Sequence, residues 1–378
     1  MPVVTGRTAM SQMAKVFGAK WQEFSWRRGA ILAVVLGLLI IVGVLPHDRR
    51  YFLSAIFGAL FLALADPGGK YGPRVARMAI FAVAGALLTA LGFGMGNGPW
   101  GWVVLAAFVA TLLGGLAVKY GLHRFVSAYL LNAWFIIALG LPTLLAFDYP
   151  KLYGFGLFHP EPWKQALAWL IGSALWIVYT FIAWLARGRV TEPQPVAEIP
   201  GDISPRPLTR PLILFAVIRA VAVAIAVAIA FGLKLPDAYW MPIAAIISMK
   251  PSLQQSTLVA EQRVAGTIAG AVVAALVLLA VDNRTALEVI IVVLFALAGS
   301  LRTVSYTWYT AAVASAVLIA ADIPHPTDLT HEARRILFTL AGVGISIIVL
   351  LLAGLLQKHA AKAAKPAPQA PIHEGQAG

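Results

Sequence analysis

Residues 235–270 read LPDAYWMPIAAIISMKPSLQQSTLVAEQRVAGTIAG, and this stretch decides the fold. An apolar run from Tyr239 to Met249 lies between Pro236 and the pair Lys250-Pro251, with Pro242 inside it. As a helix such a run rises roughly 16 Å, about half of a ~30 Å hydrocarbon core. A segment that stops there leaves backbone amides and carbonyls at depth, which is tolerated only against protein or a water-filled cavity. Transporters use interrupted segments of this kind to build substrate sites near the midplane. The polar stretch Ser252, Gln254, Gln255, Ser256 and Thr257 follows, and Glu261 and Arg263 lead into a new apolar helix from about residue 264.

Composition places the whole chain in the same solvent. Of its 378 residues 60% are hydrophobic and only 12% charged, against about 25% charged in ordinary soluble domains. The mean hydropathy is +0.83. A soluble fold of this size has too little interior for so much apolar side chain, so lipid is the expected surround. There is no cysteine, which excludes disulfides, thiolate metal sites and thiol nucleophiles. The net charge of +13 is spread over many short loops, so it reads as a topological signal and nucleic acid is not an expected partner. The polar leader is long and lacks a small-residue cleavage site, so the first apolar run reads as a retained span.

Apolar segments fall at about 30–45, 52–65, 76–95, 100–118, 125–146, 165–186, 211–233, 238–249, 264–281, 286–300, 303–321 and 334–356. With the N-terminus cytoplasmic, twenty Lys and Arg lie on the cytoplasmic side and eight on the other, with Arg219 left inside a segment. That bias favours an even number of spans and two cytoplasmic termini. The halves also echo one another. Arg28 and Arg219 mark their first helices. The bends Leu45-Pro46 and Leu235-Pro236 precede Tyr51-Phe52 and Tyr239-Trp240. The second segments end at Asp66-Pro67 and Lys250-Pro251, and Arg124 and Arg302 open the fifth. The expected fold is therefore all-α, a polytopic membrane protein of about twelve transmembrane segments as two parallel six-helix repeats. Its parts would be a cytoplasmic N-terminal segment 1–28, a first repeat 29–187, a Pro-rich cytoplasmic linker 188–210, a second repeat 211–357 and a disordered cytoplasmic tail 358–378.

Enzyme motifs are absent. His331-Glu332 lacks the second histidine of a zinc helix, because position 335 is Arg, and Gly68-Gly69-Lys70 lacks the spacing of a phosphate loop. The cluster Asp322, His325, Asp328, His331 and Glu332 reads as capping and loop polarity rather than as a metal site. No cofactor is expected. Candidate binding residues are cationic and aromatic. Arg263, Gly266 and Gly270 share one helix side. Arg263 either faces the cavity opened by the interrupted segment or snorkels beside a small-residue packing face. Lys250 at the break and Arg219 within helix seven could join it to attract an anion, and Arg219 is the strongest case because intramembrane charge is costly. Its plainer role is a snorkel to the headgroups. Arg302 and Tyr306, with Tyr309 on the same helix, suit a ligand both anionic and aromatic, or else anchor the interface. Asp66 and Glu261, beside the two proposed breaks, are the candidates for proton coupling, with capping and ion pairing to Arg77 or Arg263 as their plainer roles.

The pattern Pro236, Tyr239-Trp240, Lys250-Pro251, Thr257, Arg263, Gly266-Thr267 and Gly270 resembles the fusaric acid resistance protein-like family, which includes aromatic acid exporters of bacterial inner membranes. The stretch Ala333-Arg334-Arg335-Ile336-Leu337 through Gly342 resembles that family's final helix. The resemblance covers roughly 210–356 and is faint over 28–186. It implies a protein of the bacterial inner membrane that exports aromatic carboxylates, energised by the proton gradient, with Tyr239, Trp240 and Tyr306 holding the ring. Larger members carry a soluble domain between the halves; here the short linker stands in that place and argues against coupling to a periplasmic adaptor. A passive organic-anion channel on the same scaffold, as in a related plant group, and a non-transporting membrane scaffold or assembly factor are the alternatives. The expected partners are a small organic anion and membrane lipid, and the sequence leaves room for a homo-oligomer.

Overall fold

The computed structural model describes residues 13–44, 51–96, 98–148, 161–190, 207–236, 239–249, 253–281, 283–322 and 330–363. Every regular element among them is helical. After a helical turn at 13–17, the α-helices are α1 Trp26–Val44, α2 Phe52–Ala65, α3 Tyr71–Met95, α4 Trp100–Leu116, α5 Leu122–Asp148, α6 Pro162–Ala186, α7 Arg210–Gly232, α8 Trp240–Ser248, α9 Leu253–Ala280, α10 Arg284–Leu301, α11 Tyr306–Asp322 and α12 Thr330–Ala363. Each of the twelve apolar stretches is one of these helices. Among the described residues six helices are long and apolar enough to cross a membrane, namely α3, α4, α5, α6, α7 and α9. Most of the linker, 191–206, lies outside the described residues.

Two helix starts differ from the sequence reading. α3 begins at Tyr71, straight after Gly68 and Gly69 with positive φ, which brings Arg74 into its first turn. α9 begins at Leu253, so the polar stretch before Arg263 is helical rather than a lead-in. Gln254, Gln255 and Glu261 are sound helix formers, and helical propensity does not require an apolar face.

α8 has nine residues, a rise of about 14 Å, and cannot span a ~30 Å core. α2, with fourteen residues, also falls short. The carbonyls at their C-terminal ends have no partner within the helix, and other side chains supply one. Arg302 Nη2 donates to Leu64 O of α2 at 2.9 Å. Ser248 Oγ and Ser346 Oγ of α12 both donate to Ala245 O of α8 at 3.2 Å. In a low-dielectric surround these bonds replace water that the interrupted helices lack.

Packing is close because small residues line the contacts. α2 meets α6 through Gly58 and Gly172, which touch the backbones of Trp169 and Ala55. Ser173 Oγ donates to Gly58 O at 3.2 Å across the same contact. α9 meets α11 through Gly266 and Gly270, where an added Cβ would sit 2.5 and 2.6 Å from the carbonyls of Thr307 and Ala311. The small-residue role expected for these two glycines is therefore what the structure shows. The core beside α2 is aromatic: Trp134 stacks on Trp169 at 4.7 Å, with Phe57 5.0 Å from Trp134. The indole N–H groups donate to Thr89 Oγ1 at 2.8 Å and Ala82 O at 3.1 Å, so no buried donor is wasted.

The segment before α1 straps the ends of α9 and α11. Lys20 N donates to Val304 O at 3.0 Å, Thr303 Oγ1 to Glu23 O at 3.0 Å, Gln262 Nε2 to Lys15 O at 3.3 Å, and Thr307 Oγ1 to Val16 O.

Gly172→Ala places a methyl against the Ala55 carbonyl and is expected to destabilise the protein by about 1–3 kcal/mol. Gly101→Ala, where the added carbon meets nothing within 4 Å, should be neutral or stabilising by up to ~1 kcal/mol. Thermal unfolding of the two variants in detergent checks the contrast.

Candidate functional site

The site is built on α7. Its Ala216, Ala220, Ala222, Val223, Ala226 and Val227 have no exposed surface, which makes it an interior helix. Small side chains let its neighbours approach closely: a Cβ on Gly115 of α4 would lie 2.8 Å from the Ala216 methyl. One turn beyond Ala216 stands Arg219, also with no exposed surface. A snorkelling arginine keeps its head in water; this one does not.

The guanidinium lies over two rings of α5, 5.1 Å from the Tyr129 centroid and 5.8 Å from that of Phe125. The two rings are four residues apart and so share a helix face. None of Nε, Nη1 and Nη2 meets a hydrogen-bond acceptor. A desolvated cation–π contact is worth roughly 2 kcal/mol, whereas burying an unpaired ion costs several kcal/mol even after relaxation. The rings therefore offset only part of the cost, and the remaining deficit is what an anion would close. Beside this chamber Asn132, one turn past Tyr129, donates from Nδ2 to Thr111 Oγ1 of α4 at 3.1 Å.

Among the described residues three charged side chains are buried: Arg74, Arg219 and Arg263. Arg74 is fully matched. Its Nε and Nη2 donate to the two oxygens of Asp66 at 2.7 and 2.6 Å. Asp66 also accepts from Trp176 Nε1 at 3.2 Å and Gly68 N at 3.0 Å. The partner is Arg74 rather than Arg77, which is exposed on the other side of the early first turn of α3. Arg263 is buried on α9, and its Nε meets no acceptor.

The other expected residues are dispersed. Tyr239 is buried at the start of α8, packed on Gly140 of α5 and 4.9 Å from the Trp240 ring. Along α5 Gly140 lies roughly 16 Å from Tyr129, so Tyr239 is not brought to Arg219. Arg302 serves the end of α2 through Leu64 O. Tyr306 lies 6.1 Å from Tyr309. Glu261 is exposed at the mouth of a groove of about 660 Å³ between Val264, Ala265, Ile268 and Ala269 of α9 and Val343 and Ile347 of α12, with Phe17 at its side. Lys250 lies outside the described residues, as do His325 and Asp328 of the outer-loop cluster. Sequence reasoning missed Phe125, Tyr129 and Arg74. The only local signal was the i, i+4 aromatic pair opening α5, and nothing in the sequence ties it to α7.

These features define an all-α, multi-pass membrane protein with a buried cation among its helices. Residues 223–349 match the family model described as fusaric acid resistance protein-like. The match bears out the resemblance and associates the chain with membrane transport and efflux. It runs from α7 into α12; Arg219 stands four residues before it, and Phe125 and Tyr129 lie in the other half. No curated protein and no solved structure matches the chain.

If Arg219 is kept for an anion rather than for stability, Arg219→Met should raise the thermal midpoint measured without organic anions, by about 1–4 kcal/mol in stability. A lowered midpoint would make the ring contacts structural. Arg74→Ala, which strands Asp66, should instead cost about 3 kcal/mol in the same assay.

Proposed function

We propose that this protein is a secondary, proton-coupled efflux transporter of organic carboxylates, chiefly aromatic ones, in the bacterial inner membrane. Arg219 carries the reading: a guanidinium without acceptors, wholly inside a helical membrane protein, is a site for an anion. Family membership of the second half in a transport group supports the same direction.

The transporter has twelve membrane segments in two parallel six-helix repeats with both termini cytoplasmic. Packing supports the repeat. α2 packs on α6 as α8 packs on α12, α3 on α5 as α9 on α11, and α4 on α5 as α10 on α11. The cross-contacts also correspond: α4 meets α7 at Gly115 and Ala216, and α10 meets α1 at Ala296 and Gly29. Ser173 to Gly58 O and Ser346 to Ala245 O are matching bonds between the sixth and second helices of each half.

The anion is drawn by Arg219, with Arg263 and Lys250 adding positive field along the path. Proton coupling falls to Glu261. Asp66 is a poor carrier, because both its oxygens are engaged by Arg74, Trp176 and Gly68, and a proton there would have to displace a bidentate ion pair.

In proteoliposomes holding only this protein, release of a loaded mixture of aromatic and aliphatic carboxylates should require an imposed pH gradient. Arg219→Gln should reduce flux by at least about tenfold. Glu261→Gln should abolish gradient dependence while sparing exchange of labelled for unlabelled anion. Release indifferent to pH in the unaltered protein would make it a passive channel, and no release from folded protein would remove the transporter reading.

A further inference from the structure

Resting on that transporter reading, we infer that Phe125 and Tyr129 set the specificity of the Arg219 site, and that they make it choose planar aromatic carboxylates over saturated ones of equal charge. In the empty protein the two ring faces hold the guanidinium, at 5.8 and 5.1 Å. They attract it through the negative face of the ring quadrupole. They are weak partners beside a carboxylate, which accepts paired N–H bonds from the same fork. An entering carboxylate therefore takes the three nitrogens that have no acceptor here. The ring faces released by that exchange are left for the body of the ligand.

What those faces accept is decided by shape. Phe125 and Tyr129 stand on one side of α5, so they form a single aromatic wall. The opposite wall is α7, whose Ala216 and Ala220 are fully buried. α4 closes in one turn away, where Gly115 meets Ala216 too tightly for a further carbon. The space between a ring wall and an alanine wall is a slot. A flat ring enters it and stacks offset or edge-on against the aromatic faces. A puckered saturated ring is thicker and has no quadrupole to match. These residues lie outside the stretch that matches the family model, so the selectivity would belong to this chain's own first half.

Equilibrium binding to the purified full-length protein tests this, with benzoate, cyclohexanecarboxylate and neutral benzamide as probes. The unaltered protein should favour benzoate over cyclohexanecarboxylate by roughly three- to tenfold. Tyr129→Leu and Phe125→Leu should each pull that ratio toward about one, with cyclohexanecarboxylate affinity changing less than about threefold. Tyr129→Phe, which keeps the ring face, should retain the preference. Benzamide should bind no better to the unaltered protein than to Arg219→Gln. A preference unchanged in both leucine variants, or no binding of either carboxylate, overturns the inference. Proton-driven carboxylate flux with an unchanged preference would sink the inference and leave the transporter in place. The expected preferences without flux would keep this site and sink the transporter.

Discussion

Backbone polarity in lipid is the constraint on which the rest depends. A spanning helix satisfies its own amides and carbonyls; one that stops partway does not. α2 and α8 are both too short to cross, and each ends on carbonyls that need donors from elsewhere. The donors come from remote parts of the chain, Arg302 for Leu64 and Ser346 for Ala245. The two interruptions thereby tie α2 to the end of α10 and α8 to α12. A guanidinium at the C-terminal end of α2 also faces the negative pole of that helix, which adds to the hydrogen bond.

Those ties need the helices to be close, and lipid provides no hydrophobic drive to bring them together. Contact area does it instead. Gly58, Gly172, Gly266 and Gly270 sit where neighbouring backbones leave no room for a side chain. Beside α2 the gaps are filled by stacked tryptophans whose N–H groups find a hydroxyl and a carbonyl. Between α8 and α12 they are filled by Gly342, Ala244 and a pair of serines bonded at 3.0 Å. The same demand for close approach is met by different side chains, which is why one contact is rigid and aromatic and the other small and polar.

Charge is distributed unevenly within this frame. Arg74 and Asp66 neutralise each other and consume their hydrogen-bonding capacity, so the pair holds the start of α3 to the end of α2. Arg219 has rings but no anion. A fold selected for stability alone would place an apolar side chain of similar length there. The residue that stability does not explain is the one that gives the molecule a reason to bind an anion.

Much of this was legible in the chain itself. Twelve apolar runs are twelve helices, the short run after Pro236 is a short helix, and Arg219 was visible as a charge inside a segment. Those properties depend on the hydropathy and spacing of neighbouring residues, and local free energies decide them. What faces Arg219 was not legible. Phe125 and Tyr129 reach it because of how α5 and α7 cross, and the residues expected to hold a ring, Tyr239 and Trp240, are carried to a different height on α5. Asp66 pairs with Arg74 rather than Arg77 because α3 starts five residues earlier than its apolar face. Arg302 caps a helix some 238 residues away. A helix presents several faces of similar apolarity, and only the packing of all of them together selects which side chains meet.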